Sequence, residues 1–298
     1  MVDKSKLTFV FTDSGLGGLS IMADFLYEIE KREKNISCEE IEIIFFNALP
    51  ESGQGYNRMH NMQDKIRIFN SALEMIQSYY TPDSIAIACN TLSAIYPLTQ
   101  FAQSNSNIFE IISAGRYQIE QHRKQSPKQP VFVLATPTTL ASSAYEMEDP
   151  YVFQISGENL ASLIEFDHTS PQVKEITKHI FSNIEKCLSG SSVKDITLFL
   201  GCTHYGYVEE TLKEVAKDFD FTINTILNPN LEFTSELMDY MAPIFYKENN
   251  SPTKITLKIE SQALIEPSEI ESISQLIKGK SEVITSLLKN YKRLPKMF

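Results

Sequence analysis

Cysteine is scarce in this sequence, positive charge is in deficit and long apolar runs are missing. Each absence removes a class of function. Four cysteines in 298 residues, with no export signal visible before the first strand-like run, read as reduced cytoplasmic thiols rather than a disulfide framework. A net charge of −11 lacks the basic footprint that nucleic acid requires and disfavours an anionic membrane surface. No stretch approaches the ~20 apolar residues of a membrane span. Glycine (11) and proline (13) are modest, which excludes fibrous and low-complexity chains. A Gly-x-Gly-x-x-Gly fingerprint, a Walker loop and a Cys-x-x-Cys pair are all missing.

What is present is an ordinary globular composition, 42% hydrophobic and 22% charged, in a chain long enough for two domains. Strand candidates span residues 7–13, 41–48, 84–90, 108–113, 130–136, 151–156, 196–203 and 221–228, with helical stretches between them. That alternation implies βαβ units and parallel sheets. A weak repeat is visible: 123 residues separate Asp13 from Thr136, and 113 separate Cys89 from Cys202. The expected fold is α/β, with two pseudo-symmetric three-layer domains, mainly parallel sheets and an active site in the cleft between them. Residues 1–115, completed by 227–298, would form one domain, and 116–226 the other. The polar stretch Gln121 to Gln129 is a candidate crossing between them. The tail alternates polar and apolar residues over Lys254 to Glu260, then shows a helix start near Pro267 with Ser268 as a guessed cap and helical spacing from Ser281 to Leu288. It is expected to cover an edge or an oligomer contact, without chemistry.

Two stretches end in the same reactive atom. Ser84-Ile85-Ala86-Ile87-Ala88-Cys89-Asn90-Thr91 and Ile196-Thr197-Leu198-Phe199-Leu200-Gly201-Cys202-Thr203-His204 each run from apolar strand to thiol to threonine. Ligands in open α/β sheets sit at the carboxyl ends of strands. Both thiols should therefore project into a crevice, whereas Cys38 and Cys187 fit the behaviour of small buried hydrophobes. His60, His122, His168 and His179 lack ligand spacing and read as surface or capping residues. A metal site would need more ligands than two thiols. One cysteine with His204 as base would serve nucleophilic catalysis. Two cysteines would serve two-base proton transfer, one removing a proton from carbon and the other delivering one to the opposite face. Asp13-Ser14-Gly15-Leu16-Gly17-Gly18 follows the first strand. It reads either as a tight turn with a side-chain cap or as a weak anion-binding loop at a helix N-terminus. Asp13 could instead orient a substrate amine or tune a thiol.

Together these motifs resemble the cofactor-independent aspartate/glutamate racemase superfamily, and within it the glutamate racemases most. The matching residues are Asp13-Ser14-Gly15-Leu16-Gly17-Gly18-Leu19, Ala88-Cys89-Asn90-Thr91-Leu92-Ser93-Ala94, Ala135-Thr136-Pro137-Thr138-Thr139-Leu140-Ala141-Ser142 and Leu200-Gly201-Cys202-Thr203-His204-Tyr205. The resemblance implies Cys89 and Cys202 as acid/base thiols assisted by Asp13 and His204. It implies Ser14, Asn90, Thr91, Thr139 and Thr203 as substrate-binding residues, with no pyridoxal phosphate or other cofactor and no metal. It also implies production of the D-isomer for cell-wall synthesis. Three departures stand out. Asn47 to Asn57 replaces the family's Pro-Tyr-Gly loop, with Tyr56 and Asn57 as candidates for a related role; Ser156-Gly157-Glu158-Asn159 stands where the family has Cys-Pro; Gly206 replaces a proline. Glu165 matches a family acidic position. The expected activity is racemisation of an acidic amino acid, glutamate favoured and aspartate or another amino acid next. A relative that only binds an acidic metabolite or partner, and a one-cysteine decarboxylase or isomerase, are the alternatives. The expected partner is a small amino-acid substrate, with neither nucleic acid nor membrane; homodimerisation is left open.

Overall fold

A computed structural model describes residues 5–105, 107–245 and 252–298. The first four residues, on which the reading of no export signal partly falls, lie outside the described residues. The strands are β1 (Lys6–Asp13), β2 (Glu40–Asn47), β3 (Ser84–Ile87), β4 (Ile108–Glu110), β5 (Val131–Ala135), β6 (Val152–Ser156), β7 (Asp195–Gly201), β8 (Thr222–Leu227), β9 (Lys254–Ser261) and β10 (Lys292–Arg293). The helices are α1 (Leu19–Glu30), α2 (Met62–Tyr80), α3 (Asn90–Ile95), α4 (Ile111–Gln125), α5 (Pro137–Ala141), α6 (Leu160–Asp167), α7 (Pro171–Cys187), α8 (Glu209–Asp218), α9 (Pro229–Met241), α10 (Pro267–Ile277) and α11 (Glu282–Lys289). Among the described residues no helix is long and apolar enough to cross a membrane.

The strands form two sheets, ordered β10-β9-β2-β1-β3-β4 and β6-β5-β7-β8. Every pairing is parallel. Both faces of each sheet are covered, which explains why the strands read as unbroken apolar runs. Successive side chains leave opposite faces of a strand. In β1, Phe9 and Phe11 enter a core shared with Phe25 of α1 and Phe233 of α9, while Val10 packs on the other side with Phe69 and Leu73 of α2. In the second sheet Phe132 and Leu134 join one core, and Val131 and Val133 join another with Phe199 and Tyr145. Each such buried side chain contributes ~1.5–3 kcal/mol.

The topology places the site. From β1 the chain passes to β2 on one side and then to β3 on the other; from β5 it passes to β6 and then to β7. Such reversals open a crevice at the carboxyl ends of the central strands. Those ends carry Asp13 in one sheet and Thr136 with Cys202 in the other.

Several expected boundaries move for identifiable reasons. The third strand stops at Ile87, because Cys89 is already the N-cap residue of α3. The fourth stops at Glu110, whose carboxylate accepts from the Ile112 and Ser113 amides and starts α4. That helix runs through Gln125, so most of the expected crossing segment is helical; Arg123 then ties its end down by donating to the Ser126 and Gln129 carbonyls, both at 2.8 Å. The cap of α10 is Glu266, not Ser268. Proline occupies the first helical position, and Glu269 completes a reciprocal capping box. The tail also does more than cover an edge, since β9 lies inside the first sheet, paired with β2 from Glu40↔Lys254 to Asn47↔Ser261. Cys187, at the end of α7, is exposed rather than buried.

Candidate active site

A cleft of about 550 Å³ lies between the carboxyl ends of the two sheets, and both Cys89 and Cys202 line it. Cys89 reaches it because β3 ends and α3 begins there; Cys202 follows β7 directly. The two sulfurs have different company.

Cys89 stands beside Ser14, with Sγ and Oγ 3.2 Å apart. Asp13 is fully buried. One carboxylate oxygen accepts from the Gly18 amide at 2.6 Å and the Thr203 hydroxyl at 3.3 Å, and the other from the Gly15 amide at 3.2 Å. Burial pushes the Asp13 carboxyl up, against the opposing charge of His204 and a hydrogen bond with Cys89. Burial, then the Asp13 charge, push the Cys89 thiol well above its ordinary range, with Ser14 acting against them. Burial disfavours the charged form in both cases. Three amides of the glycine-rich loop are taken within the protein, because Asp13 accepts from those of Gly15 and Gly18 and Glu165 accepts from the Leu16 amide at 3.1 Å.

On the other side, Cys202 Sγ lies 3.8 Å from His204 Nδ1, and His204 Nε2 lies 2.6 Å from Glu165 Oε2. Burial alone would lower the imidazole pKa. Its hydrogen bonds to Cys202 and Glu165, together with the charges on those groups, outweigh that and raise it well above the ordinary value. Both contacts favour the protonated form of a ring held between a carboxylate and a sulfur. Glu165 projects from α6 and is partly buried, so it is no solvent-facing residue.

The glycines serve this contact. A Cβ at Gly17 would lie 2.4 Å from Thr203 Oγ1 and 2.6 Å from His204 Nδ1; one at Gly15 would lie 2.5 Å from Glu165 Oε2. The loop after β1 thus rests directly on the groups flanking Cys202, at a distance that only a bare backbone permits.

The remaining expected residues are not all equivalent. Asn90 lines the cleft; its carbonyl accepts from the Tyr145 hydroxyl at 2.5 Å, and its buried amide nitrogen has no protein partner. Thr91 and Thr136 share a hydroxyl contact at 2.9 Å, and both line the cleft. Thr139 does not line it. Its hydroxyl lies 3.0 Å from that of Thr136, one layer behind. Ser14 and Thr203 line it. The Tyr56 ring lines it too, but its hydroxyl donates to the Ala48 carbonyl at 3.1 Å, and burial pushes its pKa up, so this group faces away from a ligand. Asn57 bridges the two sides, accepting from the Thr138 amide at 3.2 Å and reaching Thr91 Oγ1 at 3.5 Å.

Sequence reasoning missed three contributors. Thr136 lies within the Thr-Pro-Thr-Thr segment and is an N-cap as well as a lining residue. Glu266 and Glu269 come from the tail and form part of the wall, with Ser52 donating to Glu266 at 3.1 Å. The rearranged loop therefore meets the tail at the mouth of the cleft. Among the described residues, no group of three or more His, Cys, Asp or Glu side chains could hold a metal ion.

No protein-family model matches the chain. A glutamate racemase of Clostridium botulinum (strain Alaska E43 / Type E3) is 26% identical over 226 residues, covering 72% of this chain and 77% of that protein. A glutamate racemase of Lactobacillus acidophilus is 28% identical over 232 residues, covering 76% and 79%. Among solved structures, glutamate racemase from Francisella tularensis in complex with D-glutamate aligns with a TM-score of 0.66 and 21% identity, covering 92% of this chain and 94% of that one. Glutamate racemase from Thermus thermophilus in complex with beta-chloro-D-alanine aligns with a TM-score of 0.67 and 17% identity, covering 98% of each. The chain is similar in sequence to glutamate racemases and has their α/β fold.

Proposed function

We propose that this chain is an amino-acid racemase that inverts Cα of glutamate by proton transfer between Cys89 and Cys202. The observation that carries the proposal is that two thiols, each at the carboxyl end of a strand in a different sheet, line one cleft. In this reading residues 1–115 with 227–298 form one domain and 116–226 the other, and the protein works in the cytoplasm with its thiols free, supplying the D-isomer for cell-wall synthesis.

The flanking groups set the direction of the first step. Cys202, beside the His204 imidazolium, removes the proton from the substrate carbon. Cys89, kept as a thiol by burial and by Asp13, delivers its proton to the opposite face. Atoms balance: one sulfur gains the proton that the carbon loses, and the carbon regains one from the other sulfur. The enzyme then holds the reverse protonation pattern, suited to the opposite enantiomer until exchange with water resets it. Charge developing at the substrate carboxylate is met by the free Asn90 amide nitrogen and by the Thr91 hydroxyl. Donors fixed in a partly closed cleft act without reorganising. Asp13 and Glu165 touch the thiol and the imidazolium respectively and hold their charge state.

The test is incubation of the full chain with each L-amino acid in heavy water, following optical rotation and deuterium at Cα. Loss of rotation with deuterium uptake for glutamate alone is the expected result. Exchange with aspartate or another amino acid instead would reassign the substrate; no exchange with any, from folded protein, would favour a binding role.

A further inference from the structure

We infer that Lys65 is a specificity-determining positioning residue, whose ammonium draws the side-chain carboxylate of an acidic substrate to the hydroxyl-lined end of the cleft. This rests on the racemase reading above and adds the orientation of the substrate within it.

Lys65 lies on α2 and is only 7% exposed. Its Nζ donates to Thr138 Oγ1 on α5 at 2.6 Å, which joins a helix of the first sheet to one of the second. No carboxylate among the described residues is paired with it, and burial alone lowers its pKa. A buried charge without a counter-ion is costly. Its surroundings point to where an anion would sit. Thr138 gives its amide to Asn57, Asn57 reaches Thr91, and Thr91 contacts Thr136. Asn57, Thr91 and Thr136 line the cleft, and Lys65 with Thr138 stands one layer behind them. Because Thr138 Oγ1 accepts from the ammonium, its own hydroxyl proton remains free to donate.

Acidic side chains elsewhere in the lining disfavour a carboxylate beside them. They are Glu158, Glu266 and Glu269, with Arg58 as the cation among them. Crowding there is tangible: burial and the Glu165 charge push the Glu269 carboxyl up to about 7, against the pull of Arg58. A dicarboxylate entering this cleft therefore turns its second carboxylate toward Lys65.

The test compares wild type, Lys65→Met and Lys65→Gln. Calorimetry gives Kd for L-glutamate and for its neutral isostere L-glutamine, and deuterium exchange gives kcat and KM for glutamate. Both variants are expected to weaken glutamate binding by about tenfold or more, with kcat within a few-fold of wild type and glutamine binding unchanged. Lys65→Gln keeps a donor for Thr138, so wild-type glutamate affinity in that variant would overturn the inference, since the hydrogen bond and not the charge would matter. Equal weakening of glutamate and glutamine would overturn it too, because the lysine would then serve the shared α-carboxylate or the fold. A wild-type protein that exchanges no acidic amino acid overturns the racemase reading itself, and this inference with it.

Discussion

The two thiols arise from near-identical sequence settings, yet their surroundings are electrostatic opposites. Around Cys89 the neighbours are an acid and a hydroxyl, Asp13 and Ser14, and the acid is itself pushed up by burial. Around Cys202 the neighbour is a cation, His204, backed by Glu165 at 2.6 Å. A repeated strand-thiol-threonine pattern thus has an acid beside one thiol and an imidazole beside the other. The difference comes from His204, two residues after Cys202, and from two residues outside the thiol stretches: Asp13 at the end of β1, and Glu165 from α6. Fold symmetry supplies the positions of the thiols, and in the proposed reaction the asymmetry of the flanking groups assigns their roles.

That contrast can be broken most directly at the sulfurs. Cys89→Ala and Cys202→Ala should each lower racemisation by about 10²–10⁴-fold, the range for loss of a positioned acid or base; either variant retaining full activity in a polarimetric assay would reduce the pair to one working thiol. Gly17→Ala should come next. Its methyl would press on Thr203 and on the His204 ring, and displacement of that order costs about 10²-fold in kcat, while circular dichroism stays unchanged. Glu165→Gln sharpens the comparison further by making the two sides more alike. It removes a group that raises the His204 pKa, so the imidazolium deprotonates earlier. The alkaline limb of kcat/KM should move to lower pH, with a loss of about tenfold or more at neutral pH. The smallest effect concerns the acidic wall. The folded pKa of Glu269, about 7, lies above its unfolded value. Its protonated form therefore favours the fold at acid pH, and that contribution is lost as pH rises through about 7. Glu269→Gln keeps the oxygen that caps Glu266 and should flatten the fall in Tm between pH 6 and 8 by about 2 °C.

Much of this arrangement was legible in the sequence because its causes are local. An apolar run covered on both faces reads as a parallel strand, and a polar cysteine segment at its end reads as a crevice. What escaped depends on contacts between distant segments. Lys65 looks like a solvated lysine on an amphipathic helix and is buried only because α5 lies over it. Thr136 and Thr139 are interchangeable on paper, and the turn into α5 decides which of them faces the cleft. Tyr56 occupies the expected wall, but the Ala48 carbonyl takes its hydroxyl. The tail carries no motif, and β9 in the sheet together with α10 docked on α6 brings Glu266 and Glu269 to the mouth.

The placement of β9 between β2 and β10 has a consequence for biosynthesis. A ribosome delivers Asp13, Cys89, Cys202 and His204 well before Lys254–Ser261 emerges. Until then β2 is an uncapped border, able to zip onto a neighbouring nascent chain. A message cut short near its end would still encode both thiols and yet yield an adhesive product, so premature termination should be seen by the cell first as insolubility and only second as lost turnover.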